Sequence, residues 1–128
     1  MARILIVDDN KLVRTLLAQV LREAGYEVEE AEDGHKAFAL AKAHHPDLVV
    51  TDFYMPELDG AELVRLMRSD PKLKGVPVVG LAGTTDSERK LLEAGVNTYL
   101  PKPLREANLL AAIKTALEVA ELEKTRDK

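Results

Sequence analysis

Short apolar runs alternate with helix-period segments along this chain, and that alternation limits the fold more than any other feature. Ile4-Leu5-Ile6-Val7 and Leu48-Val49-Val50 are continuous apolar runs, and Val76-Pro77-Val78-Val79-Gly80-Leu81-Ala82 is nearly so. Unbroken apolar runs of this length read as strands buried on both faces. Glu27-Val28-Glu29-Glu30-Ala31 alternates instead, with one polar face, as expected at a sheet edge. Thr98-Tyr99-Leu100-Pro101 supplies a fifth strand.

Between the strands the period changes to that of a helix. Leu12, Val13, Leu16, Leu17, Val20 and Leu21 recur at helical spacing until Gly25 stops the pattern. Asp33-Gly34 turns the chain into a helix carrying Ala37, Phe38, Leu40 and Ala41, which ends at His45-Pro46. Asp59-Gly60 opens a third helix with Leu63, Val64, Leu66 and Met67, closed by Ser69-Asp70-Pro71. Asp59 is expected to cap that helix and to have no chemical role. Thr85-Asp86-Ser87-Glu88 has capping-box spacing, which assigns the cap of the fourth helix to Thr85. The last helical pattern runs from Leu104 towards Lys124.

Five strands alternating with five helices imply right-handed βαβ crossovers and a parallel sheet covered on both faces. For 128 residues this predicts one doubly wound α/β domain, a flavodoxin-like (βα)5 fold with strand order 2-1-3-4-5. The domain is expected over residues 1–120, with 121–128 a charged tail or a helix extension. A last helix reaching Lys124 is longer than this sheet requires, which exposes Val119 and Leu122.

In that strand order Asp8 and Asp9, after the first strand, face Asp52 at the end of the third. Three carboxylates in one crevice repel: two unit charges ~4 Å apart cost ~4 kcal/mol at an effective dielectric near 20. The cluster therefore calls for a cation. Oxygen ligands suit a hard divalent ion, and Mg²⁺ fits two carboxylates plus a phosphate. Lys102, after the fifth strand, has a stem long enough to bring a fixed positive charge to the same place. A carboxylate nucleophile with two cations beside it makes a phosphoryl acceptor.

Taken together, these residues resemble a response-regulator receiver domain, the phosphoacceptor module of two-component signalling. The resemblance is carried by Asp8-Asp9, by Asp52 with Met55-Pro56 and Asp59-Gly60 behind it, by Ala94-Gly95, and by Tyr99 with Lys102-Pro103. It runs from about Arg3 to Ile113. It implies Asp52 as the phosphorylated residue and Lys102 as a contact of the phosphoryl group. It implies Asp9 as a direct Mg²⁺ ligand, Asp8 acting mainly through metal-bound water, and the Tyr54 backbone carbonyl as a further ligand. It also implies a cis bond before Pro103, and partners that meet the face of helix 4, strand 5 and helix 5.

One position departs from the family pattern. Receivers usually carry threonine or serine at the end of strand 4, and Ala82 stands there. A hydrogen bond to a charged group is worth ~1.5–3 kcal/mol. Losing it would weaken coupling between phosphorylation and the active state by ~10- to 100-fold. Tyr99 fills the family's aromatic switch position. Two accounts are open: Gly83 lets the loop fold so that Thr84 replaces the hydroxyl, or Asp52 takes phosphate and the switch works differently. A bulky Tyr54 beside the acceptor would screen the acyl phosphate.

The expected function is a phosphoacceptor that takes phosphate from a histidine kinase or histidine phosphotransfer protein and signals through a protein partner, with a homodimer as one form. Its only chemistry would be on itself, so it is not expected to be an enzyme. The rival is a pseudo-receiver that binds partners without phosphate, which Ala82 favours. An aspartate-based phosphatase would want a second acid at position 54, where tyrosine stands. A net charge of −4 argues against direct nucleic-acid binding. The absence of cysteine fits a reducing cytosol, no apolar run approaches the ~20 residues that span a bilayer, and Met1-Ala2-Arg3-Ile4 enters a strand at once, so a cytoplasmic location with no membrane contact and no signal peptide is expected. His35, His44 and His45 are read as a solvated helix face.

Overall fold

The computed structural model describes residues 1–126 and contains every expected element. In chain order these are β1 (Arg3–Val7), α1 (Lys11–Glu23), β2 (Glu27–Ala31), α2 (Gly34–His44) and β3 (Leu48–Asp52). They continue with α3 (Gly60–Ser69), β4 (Val78–Ala82), α4 (Thr85–Ala94), β5 (Thr98–Pro101) and α5 (Glu106–Arg126). All pairings are parallel and the order is β2-β1-β3-β4-β5, as expected. The chain steps outward from β1 to β2, then crosses back to β3. The crevice at the carboxyl ends of β1 and β3 is therefore the switch point of the fold.

The strand pleat sorts the core into two layers. Leu5, Val7, Val49, Val78 and Ala82 point to the face covered by α2, α3 and α4. Ile4, Ile6, Leu48, Val50, Val79 and Leu81 point to the face covered by α1 and α5. Every residue of β3 and β4 is buried, which is why their sequences show no polar alternation. β2 is the edge strand read from its glutamates, and arginines cover it. Arg3 lies against Glu27 and Glu29, while Arg14 and Arg22 lie against Glu30. An edge lined with charge resists pairing with another sheet.

Several local details differ from the sequence expectation. β4 begins at Val78, not Val76, because Pro77 has no N–H to give the ladder. α5 begins at Glu106, not Leu104, its first intrahelical bond running from the Leu109 N–H to the Arg105 carbonyl. It continues through Arg126, so residues 121–126 are a helix extension, and residues 127 and 128 lie outside the described residues. Val119 and Leu122 are exposed on it, as expected. Of the three histidines, His44 Nδ1 lies 2.6 Å from Glu29 on β2, and His45 is the left-handed C-cap of α2. Leu12 and Leu16 of the α1 apolar pattern are exposed.

The turn after β3 is fixed by one glycine. Asp59 caps α3 through a reciprocal capping box with Glu62, and Gly60 follows as the first helical residue. The Gly60 N–H donates to the Phe53 carbonyl at 2.8 Å. A Cβ on Gly60 would stand 2.3 Å from the Asp52 carbonyl oxygen, which is backbone and cannot step aside. Replacing Gly60 with alanine is expected to destabilise the fold by about 2 kcal/mol. Gly75, where a Cβ meets nothing within 4 Å, is the control, with an expected change under about 0.5 kcal/mol. Urea unfolding of Gly60→Ala and Gly75→Ala checks both.

Candidate acidic cleft at the switch point

Backbone register brings the candidate residues together. Val7 pairs with Thr51, so Asp8 and Asp52 leave neighbouring strands at the same level. On the other side Asp52 pairs with Leu81, and Ala82 with Pro101. The Lys102 N–H then donates to the Ala82 carbonyl at 2.9 Å, which extends the β4–β5 pairing by one step and sets Lys102 at the cleft. The Lys102–Pro103 bond is cis.

Three carboxylates meet there. One oxygen each from Asp8, Asp9 and Asp52 lies within 4.8 Å of the others. Asp8 and Asp52 are buried, at 2% and 6% exposure, and Asp9 is exposed. Lys102 Nζ lies 2.7 Å from Asp52 Oδ1. The Phe53 N–H donates to the same oxygen at 2.9 Å, so both donors sit on Oδ1 and neither on Oδ2. Asp8 Oδ1 accepts from the Asn10 N–H at 2.9 Å. Burial pushes the Asp8 carboxyl above the usual carboxylate range, and the charges of Asp52 and Asp9 push the same way. The Asn10 N–H and Lys102 oppose that shift.

One ammonium against three carboxylates leaves the cleft net negative. All donors are oxygen, two are buried, and their spacing lets one ion touch all three. This donor set fits a small, hard divalent cation and suits no soft one.

Other candidates are placed as follows. Ala82 ends β4 at 1% exposure, and Tyr99 is half-buried on the same core layer. The cap of α4 falls on Thr84, not on Thr85 as the capping-box spacing suggested. Thr84 Oγ1 accepts from the Ser87 N–H at 3.0 Å, and its hydroxyl donates to Ser87 Oγ at 2.9 Å. The box is Thr84 with Ser87, because β4 ends at Ala82 and leaves only Gly83 to turn. The hydroxyl that was to stand in for the one missing at position 82 is thus engaged at a helix terminus. Tyr54 is 58% exposed, its ring edge-on to Phe53 with centroids 4.8 Å apart. Two contacts had no sequence signal: the Phe53 N–H on Asp52, and Arg14 on the Asp8 carbonyl. Both depend on backbone direction, which periodicity does not encode.

An oxygen-lined acidic cleft with one lysine, at the switch point of a five-stranded parallel sheet, is the form of a receiver domain. The model of the response regulator receiver domain matches residues 4–114, and the chain belongs to that family. It is 30% identical over 116 residues to the polar-differentiation response regulator DivK of Brucella ovis, covering 89% of this chain and 94% of that one. Chemotaxis protein CheY4 of Vibrio cholerae superposes with a TM-score of 0.84 at 31% identity, covering 91% of this chain and 98% of that one. The receiver domain of a Pseudomonas aeruginosa sensor histidine kinase superposes at 0.86 with 30% identity and the same coverages. That structure has a magnesium ion coordinated in its active-site cleft. Receiver domains are signalling modules of two-component systems rather than turnover enzymes. Among the described residues, no helix is long and apolar enough to cross a membrane.

The raised Asp8 carboxyl sets the sign of a stability effect. The folded chain holds this proton more tightly than the unfolded chain, so its ionisation above the folded value costs stability. Asp8→Asn keeps an acceptor for the Asn10 N–H and removes the charge. It is expected to stabilise the metal-free chain near pH 7 by ~1–4 kcal/mol, the span between a repulsion at this spacing screened by water and one at an effective dielectric near 20. Urea unfolding with and without Mg²⁺ checks this: the gain appears without the ion, and any stabilisation by the ion shrinks.

Proposed function

We propose that the chain is a phosphoacceptor of two-component signalling, phosphorylated on Asp52 in a Mg²⁺-dependent reaction. The observation that carries this reading is Lys102 Nζ at 2.7 Å from Asp52 Oδ1 inside a cluster of three carboxylates. Both donors on Asp52 meet Oδ1, so Oδ2 is the oxygen left to attack. It attacks the phosphorus of a phosphohistidine: the new O–P bond forms as the N–P bond breaks, and the imidazole nitrogen keeps the electron pair. Asp8, Asp9, Asp52 and the Tyr54 carbonyl are the groups that would hold Mg²⁺. Bound there, Mg²⁺ supplies positive charge to the transferring oxygens. Lys102 holds its ammonium where the phosphoryl oxygens arrive, and burial of Asp52 keeps bulk water from diluting that charge.

The donor in this reading is a histidine kinase or histidine phosphotransfer protein, met in the cytoplasm. The output is a protein partner, or a second copy of the chain, on the face of α4, β5 and α5. Intact mass after acetyl phosphate treatment tests the acceptor. A gain of one phosphoryl group is expected with Mg²⁺, and none with EDTA or in Asp52→Asn. No adduct on the unaltered chain overturns the reading.

Ala82 supports a second reading, a module whose binding does not respond to phosphate. Its side chain donates nothing, and the Thr84 hydroxyl is held by Ser87. Rescue by Thr84 would break the α4 cap, at about 1 kcal/mol. We infer that phosphorylation proceeds and that its transmission to Tyr99 is weak. Amide NMR with a beryllofluoride phosphate mimic separates the two readings. Shifts centred on the Asp52 cleft are expected in the unaltered chain, and Ala82→Thr should extend them to Tyr99 and α5. Equal spread in both proteins overturns the inference of a weak switch.

A further inference from the structure

Asp9 is exposed, and among the described residues its carboxylate has no hydrogen bond or ion pair. Its position is therefore set by its backbone alone. That backbone is tied at three points around Asp8. The Asp8 N–H donates to the Ala31 carbonyl of β2 at 3.2 Å, and Asp8 Oδ1 accepts from the Asn10 N–H. The third tie is Arg14 on α1, whose Nη1 donates to the Asp8 carbonyl at 2.7 Å. That carbonyl belongs to the peptide linking Asp8 to Asp9, so its direction fixes where the Asp9 Cα and side chain leave the loop.

Arg14 is itself held. Its side chain is 13% exposed, and its Nε lies 3.3 Å from Glu30 Oε1. Arg22 approaches the other oxygen of Glu30 at 3.6 Å and donates to the Val28 carbonyl, but it is 53% exposed and does not touch the Asp8–Asn10 loop. The guanidinium of Arg14 is planar with donors in a fixed fork, so engaging Glu30 on one edge aims the other. The shorter of its two contacts goes to the Asp8 carbonyl, not to the carboxylate. Edge-strand neutralisation alone would need no such contact.

We propose that Arg14, aimed by Glu30, is a positioning residue for the acidic loop, holding the Asp8–Asp9 peptide in the direction that lets Asp9 join Asp8 and Asp52 on one Mg²⁺. This rests on the reading of the cleft as a Mg²⁺ site. The groups behind a metal's own ligands commonly govern affinity by 10- to 100-fold. Neither Arg14 nor Glu30 forms a hydrogen bond or ion pair with the carboxylates of Asp8, Asp9 or Asp52.

Calorimetric titration of the full chain with Mg²⁺ tests this without any phosphorylation. Arg14→Ala is expected to weaken Mg²⁺ binding about tenfold. Arg14→Lys, which keeps one donor, should recover part of the loss. Arg22→Ala removes a cation from the same glutamate and should leave binding unchanged, whatever it does to stability. In metal-free spectra Arg14→Ala should shift the Asp9 and Asn10 amides. If Arg14→Ala does not fold, Glu30→Gln carries the test, with a smaller weakening expected. Unchanged Mg²⁺ binding in the folded Arg14 or Glu30 variant overturns the proposal, as does equal weakening by Arg22→Ala. Failure of the unaltered chain to bind Mg²⁺ overturns the reading of the cleft and this inference with it.

Discussion

Mutual repulsion among Asp8, Asp9 and Asp52 is the constraint on which the rest of the site depends. Three carboxylates whose ligand atoms lie within 4.8 Å, two of them buried, oppose folding unless the surroundings hold them. The parallel sheet does this with backbone. β1 and β3 are buried along most of their length, so their register is set by core packing that outweighs the local charge. Lys102 relieves part of the repulsion, and the remainder leaves the cleft net negative. A site that strains against the fold is thus held in place by the best-packed part of the fold.

The same economy explains the loops. Asp52 is followed by a turn that brings the Gly60 N–H onto the Phe53 carbonyl, with no room for a side chain. Asp8 is followed by a helix N-terminus capped by Asn10, whose own N–H returns to Asp8. Lys102 is reached through one more backbone bond beyond β5. Asp8, Asp52 and Lys102 therefore each sit within a residue or two of a strand end, and their loops are tied by hydrogen bonds, with Phe53, Met55 and Leu58 adding apolar contacts after β3. The β4–α4 connection is the exception. Ala82 offers no polar atom, and Thr84 and Ser87 satisfy each other, so this loop is closed on itself.

Much of this was legible in the residues. The unbroken apolar runs of β1, β3 and β4 told of a sheet buried on both faces, and the glutamates of β2 told of its edge. Asp8, Asp9, Asp52 and Lys102 stood out because each lies at, or within two residues after, the carboxyl end of a strand. Where the reading slipped, the cause was local competition. Thr84 and Thr85 are both good caps, and only the length of β4 decides between them. Leu104 continues an apolar pattern, yet the helix starts two residues on. The reach of α5 to Arg126 follows from helix-forming residues that a charged tail also contains.

The sequence by itself determined the strand count, the parallel order and the identity of the acidic and basic groups. Those follow from periodicity and from polar residues placed at strand ends. Only the tertiary structure decided which oxygen of Asp52 is engaged, that Arg14 holds the Asp8 carbonyl, and that Thr84 is committed to α4. These are facts of backbone direction and of distances between residues far apart in the chain. No one-dimensional pattern carries them, because a hydrogen bond depends on the orientation of both partners and periodicity reports only which face a residue shares.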